Sequence, residues 1–339
     1  MIRVGVIGCG YWGPNLVRNF AKVKDCRLAA IADDNPARME PLKRTFPYIA
    51  TFPSGPSLIA SAEIDAVAIA TPISTHFNLA RQALLNGKHV LIEKPITATS
   101  REAETLIQLA EKNKRTLMVD HTFVYSGPVR KIREIMDAND LGDIHYYDSV
   151  RVNLGLFQRD SNVLWDLGPH DISLMTYLLK KKPKSISAIG SIPIHWKKWK
   201  PESVVYVTIQ FTDNTLAHFH LNWLSPIKIR RVLIGGSKKM IVYDHLDPDN
   251  QVKIYDKSVE VQTHEERFQA MVQYRTGDML VPKVDQTEAL EIVCRHFVES
   301  IMNKTKPLTD GEEGLRVVRL VEAAQHSLVR GGKSVSLSS

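Results

Sequence analysis

Gly8, Gly10 and Gly13 follow directly on the short strand-like run Arg3-Val4-Gly5-Val6-Ile7, in the spacing GxGxxG. No other feature restricts the fold of this chain as much. A short apolar run of this kind reads as a buried strand. The first glycine permits a tight turn, the second lets the backbone approach a pyrophosphate, and the third lets the next helix pack against the strand. Pro14 suits the first turn of that helix, where its missing N–H would be orphaned in any case. The free amides at the helix start can then hold a phosphate. Tyr11 and Trp12 complete the loop GCGYWG and are assigned to the same dinucleotide site.

The surrounding sequence supports that site. A second apolar run, Leu28 to Ala32, ends in Asp33-Asp34, about 20 residues past the glycines, where an acid meets the adenosine ribose hydroxyls. An acid there repels a 2′-phosphate, which favours NAD over NADP. Asp33, at the strand end, is the better candidate. Asp34 either joins it or starts the turn Asn35-Pro36.

With 339 residues, the chain has room for two domains at roughly 100–200 residues each. Residues 1–120 are expected to form the dinucleotide-binding domain, and 121–339 a second domain for substrate and association. No apolar run approaches the ~18–20 residues that span a bilayer, and the N-terminus is expected to enter a strand directly, with no signal peptide. Cys9, Cys26 and Cys294 are scattered and odd in number, which fits a reducing cytoplasm. None has metal-type spacing, so no metal is expected. The net charge of +7 could attract nucleic acid or an anionic substrate. No nucleic-acid motif is present, and Lys180-Lys181-Lys182 and Lys197-Lys198-Trp199-Lys200 read as solvated loops. Neither a nucleic-acid nor a membrane partner is expected.

Up to residue 120 strands and helices alternate. Strands are predicted at 2–7, 27–32, 65–70, 88–92 and 116–119, and helices at 13–22, 36–45, 75–86 and 99–113. This is the rhythm of a doubly wound parallel sheet. Ligands bind beyond the carboxyl ends of such strands. Thr71, Pro72 and His76 follow one strand and Glu93-Lys94-Pro95 follows the next, so these residues are cofactor candidates. After residue 120 the pattern changes: a helix at 126–138, a strand region at 143–155, a helix from 163 to 180, then strand after strand from 184 to 260. Thr212-Asp213-Asn214 reads as a hairpin turn, and the run from Arg231 to Gly236 pairs with Met240 to Tyr243 in a second hairpin. Helices at 285–302 and 312–330 close the chain, with a polar tail from Gly331 expected to be disordered. The fold class is α/β: a Rossmann domain followed by an α/β domain with a large, open, mostly antiparallel sheet.

Near the start of the 163–180 helix stands Trp165-Asp166-Leu167-Gly168-Pro169-His170-Asp171. Asp166 and His170 are four apart and share a helix face. A carboxylate one turn from a histidine can hold its tautomer and stabilise its cation, as a general base requires. The same spacing also arises in surface pairs and satisfied core groups. Pro169 complicates the helix, Asp166 could instead serve as its cap, and Asp171 could be the histidine's partner.

The order GCGYWG, Ala70-Thr71-Pro72 with Thr75-His76, Glu93-Lys94-Pro95, then Asp166 and His170 resembles the glucose–fructose oxidoreductase / inositol dehydrogenase / rhizopine catabolism family of NAD(P)-dependent oxidoreductases, over essentially the whole chain. The resemblance implies the two-domain fold above and places Lys94, Asp166 and His170 at the active site. Within the family the chain is most similar to the 3-dehydrogenases of UDP-N-acetylglucosamine or its uronic acid. That likeness lies in the segments from Gly10 to Asn19, Val119 to Phe123 and Asn162 to Asp171. Many members have an Asn/Tyr-Arg-Phe pattern where this chain has His121-Thr122-Phe123, so substrate contacts do not carry over there.

The expected reaction is oxidation of a ring hydroxyl of a sugar or sugar nucleotide. His170 removes the hydroxyl proton, Lys94 stabilises charge on the oxygen, and Asp166 orients the pair, with the two domains closing over one nicotinamide. Tyr125, Arg151 and Asn162 are candidate substrate contacts. Arg151, Lys228, Arg230 and Arg231 could face a diphosphate or be solvated strand charges. His195-Trp196-Lys197-Lys198-Trp199 could stack a base or sugar, or bury its tryptophans in a subunit interface. Alternatives are an inositol or free-sugar dehydrogenase, an NAD-binding redox sensor without turnover, and a hydrolase that uses NAD transiently. An open sheet needs cover on one face, and family members often pair these faces, which implies a homodimer or homotetramer.

Overall fold

A computed structural model describes residues 1–155, 161–194, 200–260 and 273–337. Chain contacts divide it into two compact units, Met1–Ser126 with Thr287–Arg319, and Gly127–Gln286 with Leu320–Ser339. The first unit therefore includes a C-terminal stretch beyond the 1–120 span expected of the dinucleotide domain.

The first unit is built on six parallel strands: β1 (Ile2–Ile7), β2 (Cys26–Ala32), β3 (Ala50–Phe52), β4 (Ala66–Ile69), β5 (His89–Glu93) and β6 (Leu117–Asp120). Their order is β3-β2-β1-β4-β5-β6. The order reverses between β1 and β4, and ligands lie in the crevice at such a reversal. Val4, Val6, Ala66 to Ile69 and Val90 to Ile92 are buried, as strands covered on both faces require. Five helices alternate with the strands: α1 (Gly13–Phe20), α2 (Glu40–Thr45), α3 (Gly55–Ile59), α4 (Ile73–Leu85) and α5 (Ser100–Lys112). Thr99 caps α5 by accepting from the Glu102 amide at 3.3 Å, the start signal S/T-x-x-E. The helix expected over 36–45 is divided. Asn35 accepts from the Ala37 amide at 3.1 Å and starts one 3₁₀ turn, Pro36–Arg38, ahead of α2. The short β3 and α3 were not foreseen.

The second unit carries α6 (Gly127–Asp137), β7 (Ile144–Leu154), α7 (Val163–Leu179), β8 (Pro183–Ser191), β9 (Val204–Phe211), β10 (Leu216–Asn222), β11 (Leu224–Gly236), β12 (Met240–Asp244), β13 (Val252–Glu260) and β14 (Gln273–Leu280). Along the chain there follow α8 (Ala289–Asn303), which belongs to the first unit, α9 (Gly311–Val329), which is divided between the two, and β15 (Val335–Ser336) of the second. The nine-stranded sheet runs β14-β13-β12-β11-β7-β10-β9-β8-β15. Its pairs are antiparallel except β7–β10. Both expected hairpins form, and Asn214 takes the left-handed φ of 68° in the first. Within the tail expected to be disordered, β15 pairs with β8.

One face of this sheet lies under α7. Val205, Val207 and Ile209 of β9 and Ala217, Phe219 and Leu221 of β10 are buried, and a Cβ on Gly168 would stand 3.5 Å from Leu221. Alternation carries Tyr206 and Leu216 to the other face, where they are 38% and 40% exposed. Among the described residues no helix is long and apolar enough to cross a membrane.

Candidate functional site

The glycine loop leaves the carboxyl end of β1. Gly8 has φ +94°, and a Cβ there would fall 2.6 Å from the Ala70 carbonyl oxygen. A Cβ on Gly13 would fall 1.8 Å from the Gly8 carbonyl oxygen, so the helix start can lie on the turn only without a side chain. Gly10 differs: nothing stands within 4 Å of its Cβ position. That open space is what a backbone needs if a pyrophosphate is to approach it. Tyr11 is 91% exposed.

Asp33 closes the loop from the end of β2. It is buried, and its Oδ2 accepts from the Cys9 amide at 2.7 Å while Oδ1 accepts from the Asn35 amide at 2.8 Å. Arg38 stands 3.6 Å from the same carboxylate. Asp34 is exposed, one residue ahead of the Asn35 cap. Burial, and then Asp33, push the Cys9 thiol up to about 12, so it is a small neutral filler at ordinary pH.

Thr71 and Pro72 follow β4. Thr75 donates to the Thr71 hydroxyl at 2.7 Å, and Pro72 is the residue before α4. His76, expected to border the cofactor, has another role. It is 1% exposed, and its ring nitrogens lie 2.9 Å from the Pro95 carbonyl and 2.8 Å from the Thr71 carbonyl. It therefore braces the turn after β5 against the turn after β4, and burial lowers its pKa.

Glu93 ends β5 and Lys94 follows it, joined to Pro95 by a cis peptide bond. Glu93 is the register partner of Asp120, the last residue of β6. Asp120 is 1% exposed and accepts from the Trp12 indole at 3.3 Å and the Thr122 hydroxyl at 2.6 Å. Trp12 thereby links the glycine loop to the end of β6. Burial, and then the Asp120 charge, hold the Glu93 carboxyl well above its usual range, because two buried acids so close cannot both ionise cheaply. His121 follows, 2% exposed. Asp120 and His121 were named from the sequence only within a stretch of family likeness, not as site residues. Their signal was there: polar residues at the carboxyl end of a buried parallel strand.

Asp166 and His170 both lie within α7 in the second unit. Asn162 caps that helix, accepting from the Trp165 amide at 3.1 Å, so the cap is not Asp166. Pro169 lies inside the helix, and Asp166 and His170 keep their one-turn spacing. The Trp223 indole donates to Asp166 at 3.0 Å. Asp171 is not aligned with His170 as a partner: Ser149 donates to it at 2.8 Å, and it forms a buried ion pair with Arg151.

The three substrate candidates fare poorly. Arg151 is 5% exposed and bound to Asp171, so it is neither a cleft cation nor a solvated strand charge. Asn162 is 8% exposed, and its amide donates to Glu202 at 2.7 Å and Gln325 at 2.8 Å. Tyr125 belongs to the first unit, is 3% exposed, and has its hydroxyl 3.0 Å from that of Thr309. Arg231 pairs with Asp244 at 2.7 Å. The aromatic-basic stretch from His195 to Trp199 lies outside the described residues.

Known proteins match this architecture. Residues 2–121 match the model of an oxidoreductase family with an NAD-binding Rossmann fold, and residues 129–242 match the GFO/IDH/MocA C-terminal domain. A UDP-N-acetylglucosamine 3-dehydrogenase of Acidithiobacillus ferrooxidans is 33% identical over 56% of this chain and 58% of its own length. The uncharacterized oxidoreductase YdgJ of Escherichia coli is 30% identical over 74% of this chain and 73% of its own. The solved structure of the Acidithiobacillus enzyme superposes with a TM-score of 0.78 at 25% identity, over 96% of this chain and 97% of that one. The glycine loop, the acid after β2 and the Glu-Lys-Pro turn fit NAD, and the chain belongs to the Gfo/Idh/MocA family of NAD-binding oxidoreductases.

Proposed function

We propose that this oxidoreductase oxidises a ring hydroxyl, at C3, of a UDP-N-acetylhexosamine or its uronic acid. The observation that carries the reading is the Glu-Lys-Pro turn braced by His76, in a chain that also sets Asp166 and His170 one turn apart on α7. The substrate class follows the relative that acts on UDP-N-acetylglucosamine.

In this reading His170 takes the hydroxyl proton as the C–H bond breaks, leaving a ketone. When bound, the nicotinamide supplies the acceptor for the departing hydride. Lys94 donates a hydrogen bond to the oxygen and stabilises its developing charge. Asp166, oriented by Trp223, holds His170. Glu93 and the glycine loop bind the cofactor in the first unit, and the second unit, Gly127–Gln286 with Leu320–Ser339, serves substrate binding and association. Copies pair through the sheet face that bears Tyr206 and Leu216 to form a homodimer or homotetramer in the cytoplasm, without nucleic-acid or membrane partners.

General base catalysis contributes about 10²–10⁴-fold. His170→Ala should therefore lower turnover by about that factor and leave NAD affinity unchanged; near-normal turnover would remove His170 from the reaction. A screen of UDP-sugars, free sugars and inositols, following NADH absorbance, tests the substrate. Turnover confined to inositols or free sugars would overturn the sugar-nucleotide reading.

A further inference from the structure

Two buried histidines stand at the carboxyl edge of the parallel sheet, and they differ in one respect. Both ring nitrogens of His76 are met by backbone carbonyls, at 2.9 and 2.8 Å. His121 is as buried, at 2% exposure, yet among the described residues neither of its ring nitrogens has a hydrogen-bond partner. Buried polar atoms are satisfied in the great majority of cases, and an exception asks for a missing partner. The neighbouring acid is not that partner: Asp120 accepts from Trp12 and Thr122, and no bond joins it to either His121 nitrogen. Glu93, on the adjoining strand end, is no second case, because its carboxyl is hydrogen-bonded to Asp120. Two unmet ring nitrogens thus lie at the end of β6, in a ring that feels the charge of Lys94.

We infer that His121 contacts the bound dinucleotide, its neutral imidazole hydrogen-bonding the carboxamide of the nicotinamide. The chemistry matches on both sides. A neutral imidazole offers one N–H donor and one acceptor, and a carboxamide offers an acceptor oxygen and a donor NH₂. Burial, and then the charge of Lys94, push the His121 pKa down to about 3, so the ring stays neutral and adds no positive charge beside an oxidised nicotinamide. Position agrees as well. The glycine loop and Asp33 lie at the β1 and β2 ends of the sheet, and His121 lies at the β6 end, opposite the adenosine side.

The test compares ligands that differ only at the nicotinamide. His121→Phe keeps a ring of similar size without nitrogens. Its affinity for NAD should fall about tenfold, the loss expected for roughly one hydrogen bond, while its affinity for ADP-ribose stays unchanged. Acetylpyridine adenine dinucleotide replaces the carboxamide with a methyl ketone. The wild type should bind it more weakly than NAD, and His121→Phe should bind the two nearly alike. Equal changes for NAD and ADP-ribose, or no change for either, would overturn the inference. A raised KM for the sugar with an unaltered NAD to ADP-ribose ratio would do so too. If His121→Phe does not fold, His121→Leu, which also lacks a donor and an acceptor, takes the same measurements. Failure of both to fold would make His121 a residue of the fold and end the proposal.

Discussion

Arg151 and Asp171 are 5% and 2% exposed, and they form an ion pair between β7 and α7, with the Ser149 hydroxyl donating to the same carboxylate at 2.8 Å. Removing one partner of such a pair leaves the other's charge in a site that water does not reach, which costs about 3–5 kcal/mol. Asp171→Ala should therefore lower the urea midpoint clearly, and the melting temperature by on the order of 10 °C for a unit of this size. Replacing the group by apolar residues is different, because the desolvation of both charges is then regained. The triple variant Arg151→Met, Asp171→Leu, Ser149→Ala should recover most of the loss, and apolar replacements of buried pairs range from neutral to about 1–4 kcal/mol stabilising. Equilibrium unfolding in urea measures both. The same variants separate a structural Arg151 from a substrate contact. If it serves only the fold, the triple variant keeps its KM for the sugar; a recovered stability with a KM raised tenfold or more would refute the reasoning. So would an Asp171→Ala cost below about 1 kcal/mol, the range of an exposed pair.

Two further perturbations test the cofactor unit. Gly10→Ala places a methyl in open space and should leave the melting temperature unchanged while weakening NAD. Gly13→Ala drives a methyl to 1.8 Å from the Gly8 carbonyl and should cost stability as well; equal behaviour of the two in calorimetry and NAD titration would contradict the assignment of the open space to the ligand. Burial holds the rings of His89 and His245 near about 4 and, with Lys94, that of His121 near about 3, from 6.5. These rings stay neutral in the fold but take a proton when unfolded, so the stability they contribute is present above 6.5 and is lost as pH falls below it. Each adds a slope of about 1.4 kcal/mol per pH unit. His121→Phe should flatten the stability profile by about that amount between 6.5 and about 4, and an unaltered slope would show that the ring is not held neutral.

Much of this molecule could be read from local pattern. The glycine spacing, the acid after the second strand, the βαβ rhythm, the two hairpins and a helix carrying Asp166 and His170 all depend on residues close in sequence. Backbone sterics and the periods of helix and strand act over that range, so they leave a mark there. The short β3 and α3 escaped because three to five residues are too few to display a period.

The fates of individual polar side chains were decided by the tertiary structure. His76 moved from cofactor candidate to brace because the Pro95 carbonyl reaches it from 19 residues away. Arg151 moved from cleft to core because Asp171, 20 residues on, lies beneath it. Tyr125 is buried on a hydroxyl 184 residues distant, and Asn162 is occupied by a cap and by Gln325, 163 residues away. A polar side chain advertises what it can bond, not with what, and only the fold chooses the partner. His121 shows the converse: a side chain for which the fold supplies none, a fact that no stretch of sequence could display.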